Sequence, residues 1–392
     1  MTTPPNVPIE PHTVDPHTFD DPAVAAASGQ ILDSAEEVHV GLTLDAVRPP
    51  SQEEILRVEN LTVEFPTEDG VVHAVRGVSY NLREREVLGI VGESGSGKSV
   101  SSLAVMGLLP RTARIKGRIL FRGEDMLKMS ARKQRGLRGR KIAMIFQDPM
   151  TALNPVHTIG DQLAEAVLAH ELMPRKTALA RAREMLDLVG IPQAETRLRS
   201  YPHEFSGGMR QRAMIAMAVI NNPDVIIADE PTTALDVTVQ AQILEKLLEV
   251  KDAVNAAIVL ITHDLGVIAG MAHRVLVMYA GRPVELGETD PVFEEPRMPY
   301  TAGLLGSIPS LEGGGATRLR PIKGTPPSLI NLPSGCPFSP RCPLATDICR
   351  TEEPPLAETD SGGHFAACHH WDKLAAAEDP TEFFRTESET VA

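Results

Sequence analysis

No stretch of this 392-residue chain approaches the roughly 18 to 20 consecutive apolar residues needed to cross a bilayer. The richest runs, residues 225–228 and 257–261, are strand-sized, so any work at a membrane would be done docked to it. The N-terminus lacks both the basic n-region and the apolar h-region of a signal peptide, which sets the expectation of a cytoplasmic protein. Excess positive charge is missing too. The net charge is −14, and binding a nucleic-acid backbone needs clustered Lys and Arg, so no nucleic-acid partner is expected. The basic run at residues 132–141 is short and reads as a solvated face. Cysteine is absent before residue 336; all four thiols lie between 336 and 368.

Half of the charge imbalance sits in residues 1–50, which hold eight acidic side chains and one basic, Arg48. That segment is rich in Pro, Thr and Ala without sustained periodicity, a composition that buries too little apolar surface to offset ordering entropy. Residues 1–53 are therefore expected to be a disordered acidic tail. The chain as a whole, 42% hydrophobic and 23% charged, suffices for one sizeable core with an appendage or for two modest domains.

From residue 55 the pattern changes. Apolar alternation over residues 55–65 and 71–78, then the run 87–91, predicts strands separated by turns. Directly after the last run stands Gly92-Glu93-Ser94-Gly95-Ser96-Gly97-Lys98-Ser99, followed by a helix-compatible stretch to residue 109. A Gly-rich loop between strand and helix lets successive backbone N–H groups wrap phosphate oxygens. Lys98 would meet the β and γ phosphates, and Ser99 would offer its hydroxyl to Mg²⁺. ATP contacts are expected from this loop and from Val100.

A second apolar run, residues 225–228, ends in Asp229-Glu230. Continuous apolarity implies a strand buried on both faces of a parallel sheet, with Asp229 emerging at the carboxyl end where such sheets bind ligands. Asp229 could hold Mg²⁺ through water, and Glu230 could polarise an attacking water. Adjacent Asp and Glu are common in loops; the phosphate loop gives this pair its weight.

Between and after those motifs, Phe205-Ser206-Gly207-Gly208-Met209-Arg210-Gln211-Arg212 resembles the signature of the ATP-binding cassette family, with Met209 where the family usually has Gln. Gln147, after the apolar run 142–146, resembles the Q-loop glutamine. Ala234-Leu235-Asp236 resembles the D-loop, His263 the switch histidine, and Phe65 the aromatic that stacks on adenine, with Tyr80 a weaker competitor. The resemblance implies catalytic roles for Gln147, Glu230 and His263, and Mg²⁺ contacts from Gln147 beside Ser99 and Asp229. It also implies ATP contacts from Ser206, Gly207, Gly208 and Asp236, made across a head-to-tail pair of cassettes. This chain carries one such set, so a second ATPase subunit is expected, as a heterodimer. Amphipathic stretches at residues 162–170 and 178–188, broken at Pro174 and Pro192, would form the helical subdomain that receives a coupling helix from a membrane subunit.

The C-terminal third narrows the resemblance. Met298-Pro299-Tyr300-Thr301-Ala302-Gly303-Leu304-Leu305, then Gly324-Thr325-Pro326-Pro327, then residues 336–371, resemble the extension of oligopeptide and dipeptide importer ATPases. Relatives handling nickel or other small solutes form one alternative, and a soluble, non-transport cassette ATPase another. Cys336, Cys342, Cys349 and Cys368, spaced C-x5-C-x6-C-x18-C, leave several readings open. Disulfides conflict with a reducing compartment. Structural zinc prefers closer Cys pairs, although His364, His369 and His370 could serve. A [4Fe–4S] cluster needs four thiolates, and Cys336-Pro337 and Cys342-Pro343 resemble cluster motifs. The expectation adopted is the cluster, with zinc or unmetallated thiols as alternatives.

The expected fold is α/β: a nucleotide-binding domain over residues 54–290, with a helical subdomain near 148–205. A Cys-rich C-terminal domain over 291–372 and an acidic tail over 373–392 would follow. Peripheral attachment to the cytoplasmic face of the membrane is implied, with two transmembrane permeases and an extracytoplasmic binding protein as partners.

Overall fold

The computed structural model describes residues 54–233, 235–307, 322–360 and 362–384. The acidic segment 1–53, Ala234 of the expected D-loop and residues 385–392 lie outside them. Two long strands, β1 (Glu54–Thr67) and β2 (Gly70–Arg83), lead into the short apolar β3 (Val87–Val91) and then α1 (Lys98–Met106). Strands β4 (Arg114–Phe121) and β5 (Glu124–Asp125) return to β1, closing an antiparallel sheet of order β2-β1-β4-β5. In β1 the buried positions are mainly Leu56, Val58, Leu61 and Val63, and the step from 58 to 61 is a bulge. The polar face stays wet, as one-sided antiparallel sheets require.

After α2 (Ala131–Leu137) and β6 (Ile142–Ile145) comes a run of helices: α3 (Pro149–Ala152), α4 (Ile159–Leu168), α5 (Arg175–Leu188), α6 (Ala194–Arg197) and α7 (Gly207–Val219). Pro174 is the N-cap residue of α5, where a missing N–H is harmless. Leu163, Val167, Ala182, Leu186 and Ile215 from these helices are fully buried in one cluster. Asn221 ties the helices to the sheet: its amide donates to the carbonyls of Gly139 (2.9 Å) and Ala166 (3.0 Å).

The chain then alternates β7 (Val225–Asp229), α8 (Val237–Val254), β8 (Ala257–Ile261), α9 (Leu265–Met271), β9 (Arg274–Tyr279) and β10 (Arg282–Glu288). Strands β3, β6, β7 and β8 are buried at every position, and they pair in parallel with β9 in the order β9-β3-β8-β7-β6. Ile261 stands opposite Ile90 on one side and Asp229 on the other, so the carboxyl ends of β3, β8 and β7 finish level. Helix α1 fills the space between the two sheets, with Ala104, Val105 and Met106 in a cluster that also holds Leu56, Val75, Ile90 and Ile227.

The C-terminal region continues through α10 (Thr289–Glu294), α11 (Pro299–Leu305), α12 (Asp347–Thr351), β11 (Ala357–Glu358), β12 (Phe365–Ala366) and α13 (Trp371–Ala375). β12 pairs with β10, Leu286 opposite Phe365, so the extension shares the main sheet rather than standing apart. His364 Nε2 lies 2.8 Å from Glu285 Oε1, both side chains buried. The boundary drawn at residue 372 falls inside α13. Beyond it a 3-10 segment, Pro380–Phe384, packs back so that a Cβ on Gly303 would come within 2.9 Å of the Phe384 ring. Among the described residues no helix is long and apolar enough to cross a membrane.

Asn221→Ala would strip two half-buried carbonyls, those of Gly139 and Ala166, of their donor. It should lower unfolding free energy by about 1–3 kcal/mol, read as a lower denaturant midpoint; an unchanged midpoint would show that the bridge is not used.

Candidate nucleotide site

The loop between β3 and α1 turns on glycines in the left-handed region, Gly92 at φ 149°, Gly95 at 79° and Gly97 at 97°. The space is specific to each. A Cβ on Gly92 would stand 2.2 Å from the Met278 carbonyl oxygen, and one on Gly97 2.4 Å from that of Ala74, whereas one on Gly95 would meet nothing within 4 Å. The loop is thus clamped by backbone on its inner side and open at Gly95. Ser96 Oγ is buried without a hydrogen-bond partner, an orphan that a phosphate oxygen would satisfy. Lys98 Nζ donates to the carbonyls of Gly92 (2.7 Å) and Glu93 (3.0 Å), curling the loop around the ammonium.

The level strand ends bring the other chemistry beside it. Ser99 Oγ donates to Asp229 Oδ1 at 2.9 Å, pairing the two oxygens expected at Mg²⁺ across 130 residues of sequence. Glu230 adopts φ 46°, uncommon for a residue with a Cβ. Its Oε2 accepts from Gln147 Nε2 (3.0 Å) and Thr233 Oγ1 (2.9 Å) and lies 3.5 Å from His263 Nδ1. Gln147, Glu230 and His263 are therefore brought together. Gln147 is hydrogen-bonded to Glu230 and not to the Ser99–Asp229 pair, so its Mg²⁺ role remains a proposal.

Burial dominates the electrostatics. It lowers the Lys98 pKa, against the charges of Glu230, Asp229 and Glu93, which favour the ammonium. It raises that of Asp229, a shift opposed by the Ser99 hydrogen bond and by Lys98 and reinforced by Glu230. A buried carboxylate, Asp229, and two half-buried ones, Glu230 and Glu93, around one buried ammonium suit a site that receives a polyanion together with a cation.

The remaining expected residues lie outward. Ser206 caps α7, its Oγ accepting from Met209 N at 3.3 Å, and Gly208 packs against Val239 at the start of α8. Asp236 caps α8 through Val239 N at 3.0 Å. Val100 is half-buried in the first turn of α1. Phe65 is half-buried near the end of β1, while Tyr80 is 1% exposed and has no face to offer a base. Thr233 at Glu230, and Tyr300 and Arg341 at Glu93, were not legible in the sequence: Tyr300 Oη accepts from Glu93 N at 2.8 Å. Tyr300 and Arg341 lie more than 200 residues from Glu93, where no local signal marks a partner, whereas Thr233 is only three residues from Glu230 but belongs to no motif.

Cys336, Cys342, Cys349 and Cys368 are free thiols that all line one pocket, with Phe338, Pro354 and Ala367 among its walls. Burial is the first cause pushing Cys342 and Cys368 up to about 12 and raising Cys336. Among the described residues, however, no group of three or more His, Cys, Asp or Glu is arranged to hold a metal ion.

The fold and the order of these segments define the class, an ATP-binding cassette. Residues 75–233 match the ABC transporter family model and residues 284–349 that of the oligopeptide/dipeptide transporter C-terminal region. The chain is 56% identical over 299 residues to the dipeptide transport ATP-binding protein DppD of Bacillus subtilis, covering 76% of this chain and 89% of that one. It is 50% identical over 336 residues to the oligopeptide transport ATP-binding protein OppD of Mycobacterium bovis, covering 86% of this chain but only 55% of that longer relative. A solved dimeric ATP-binding cassette in a post-hydrolysis state with ADP and Pi is 25% identical, with TM-score 0.54, covering 60% of this chain and 99% of that one. The chain belongs to the ABC transporter family, in its oligopeptide/dipeptide ATP-binding branch.

Lys98→Ala removes the one ammonium inside the loop. ATP affinity should fall about ten- to hundredfold, the scale of a charge-assisted hydrogen bond, by equilibrium nucleotide binding. Wild-type affinity would contradict the assignment of this loop to phosphate.

Proposed function

We propose that this chain is the ATP-hydrolysing motor of an importer for dipeptides or oligopeptides, working at the cytoplasmic face of the membrane with a second cassette subunit. The observation that carries the reading is Glu230, held at the end of β7 by Gln147, Thr233 and His263, one residue beyond the Ser99–Asp229 pair. In this reading the loop amides and Lys98 seat the β and γ phosphates, Phe65 stacks on adenine, and Glu230 orients the attacking water with His263 beside it. Bound Mg²⁺ would be held by Ser99 and Asp229, with Gln147 alongside, and would neutralise charge on the phosphates. Ser206, Gly207, Gly208 and Asp236 serve the partner's nucleotide rather than this chain's own. Relatives named for peptide transport favour this solute over nickel or a soluble, non-transport role.

Helices α3 to α6, within residues 148–205, act as the helical subdomain, and α7 follows it. Beside Gln147 lies an apolar groove of about 280 Å³ lined by Phe146, Ala152, Met214 and Met217 among others, with Phe146 37% exposed. A coupling segment of a transmembrane permease fits there, so its arrival would be felt at Gln147 and Glu230. An extracytoplasmic binding protein would deliver the peptide.

The thiol side chains as they stand are not arranged around a metal ion, but all four line one pocket, and we propose that on loading they turn inward to hold a [4Fe–4S] cluster, with structural zinc as the alternative. They share one pocket, and metal charge would offset the cost of burying thiolates. Its role is cross-linking a segment with little core of its own.

Glu230→Gln keeps size and hydrogen bonding while removing the carboxylate. ATP should still bind, turnover at this site should drop by about a hundredfold or more, and nucleotide should be trapped in the closed pair. Equal loss of binding and turnover would make Glu230 a structural residue instead. Protein purified without oxygen should carry about four iron and four sulfide per chain; one zinc and no iron would replace the cluster with the alternative.

A further inference from the structure

Glu93 is gripped through all three of its polar groups. Its N–H donates to Tyr300 Oη (2.8 Å), its carbonyl accepts from Lys98 Nζ (3.0 Å), and its carboxylate takes both terminal nitrogens of Arg341, at 2.7 and 2.9 Å. Arg341 comes from the cysteine-bearing loop, next to Cys342. Its side chain is only 5% exposed, Nε donates to the Lys323 carbonyl, and the guanidinium lies over the rings of Tyr279 and Phe338 at 5.8 and 5.9 Å. Phe338 is packed edge-on against both Tyr279 and Tyr300, at 5.3 and 5.4 Å. The loop is itself fixed by Cys336 N to Cys349 O (2.8 Å) and Arg341 N to Phe338 O (2.9 Å).

This pair has an electrostatic consequence at the nucleotide. Glu93 stands in the phosphate loop with its carbonyl on Lys98, and it is one of the three carboxylates whose charge reaches that ammonium. An unpaired carboxylate there would repel phosphates, and a planar bidentate partner both neutralises it and fixes its backbone. We propose that Arg341 is a positioning residue for ATP binding: it neutralises Glu93 and braces the phosphate loop from the cysteine-bearing loop, so that ATP affinity depends on the order of residues 336–342. The inference rests on the nucleotide site proposed above. Linkage requires the converse, that bound ATP tightens residues 336–342.

The test is a double-mutant cycle in the assembled transporter, with wild type, Arg341→Met, Glu93→Gln and both together. Arg341→Met should raise the KM for ATP about five- to tenfold with kcat within about twofold, and change it less than about twofold once Glu93 is Gln. Hydrogen exchange on the full chain supplies a readout apart from activity. In Arg341→Met, amides of residues 93–97 should exchange faster while 225–229 and 257–261 do not, and MgATP should slow exchange of 336–342 only when Arg341 is present. An unchanged KM, an equal rise in both backgrounds, a fall confined to kcat, or faster exchange throughout would each overturn the proposal. Should Arg341→Met fail to fold, Arg341→Lys, which keeps stem and charge without the fork, runs the same cycle with the same expected direction. Wild type that neither binds nor hydrolyses ATP would sink the nucleotide site itself and not this coupling alone.

Discussion

The close approach of backbone to backbone around Gly92 and Gly97 is the constraint on which the rest depends. With 2.2 Å to the Met278 oxygen and 2.4 Å to that of Ala74 for any added Cβ, the loop can sit only where β2 and β9 leave it room. That fixes Lys98 and Ser99 at the start of α1. Because Ile261 holds β3 and β7 level on its two sides, Asp229 and Glu230 then arrive beside them without further help from loops. A preorganised site of this kind loses little reorganisation energy when phosphate binds.

The extension adds a second set of restraints on the same loop. Tyr300 holds the Glu93 N–H and Arg341 its carboxylate, while β12 and the buried His364–Glu285 contact anchor the extension to β10. The four-thiol pocket lies behind this clamp, with Phe338 lining it and also contacting both tyrosines.

Much of this was legible in the sequence for a physical reason. Strands buried on both faces write themselves as unbroken apolar runs, which is why β3, β7 and β8 match residues 87–91, 225–228 and 257–261 to within a residue. A strand-loop-helix phosphate site is local in sequence, and so is its Gly pattern. What could not be read is what depends on distant partners: the Gln147–Glu230 contact, the burial of Tyr80, and the clamp on Glu93. Strands β11 and β12 are two residues each, too short for any alternation, so their addition to the main sheet left no trace. The C-terminal boundary behaves likewise, since α13 spans the limit at residue 372 that the resemblance implied.

Coupling of ATP hydrolysis at this site to peptide transport across a membrane is the activity that all of these contacts serve. Its most direct test is reconstitution of the chain with its partner cassette, permeases and binding protein in sealed vesicles, following labelled peptide uptake and ATP turnover together. Uptake that requires hydrolysable ATP and rises in proportion to turnover is the predicted result. Turnover that proceeds at the same rate with no peptide uptake would contradict it.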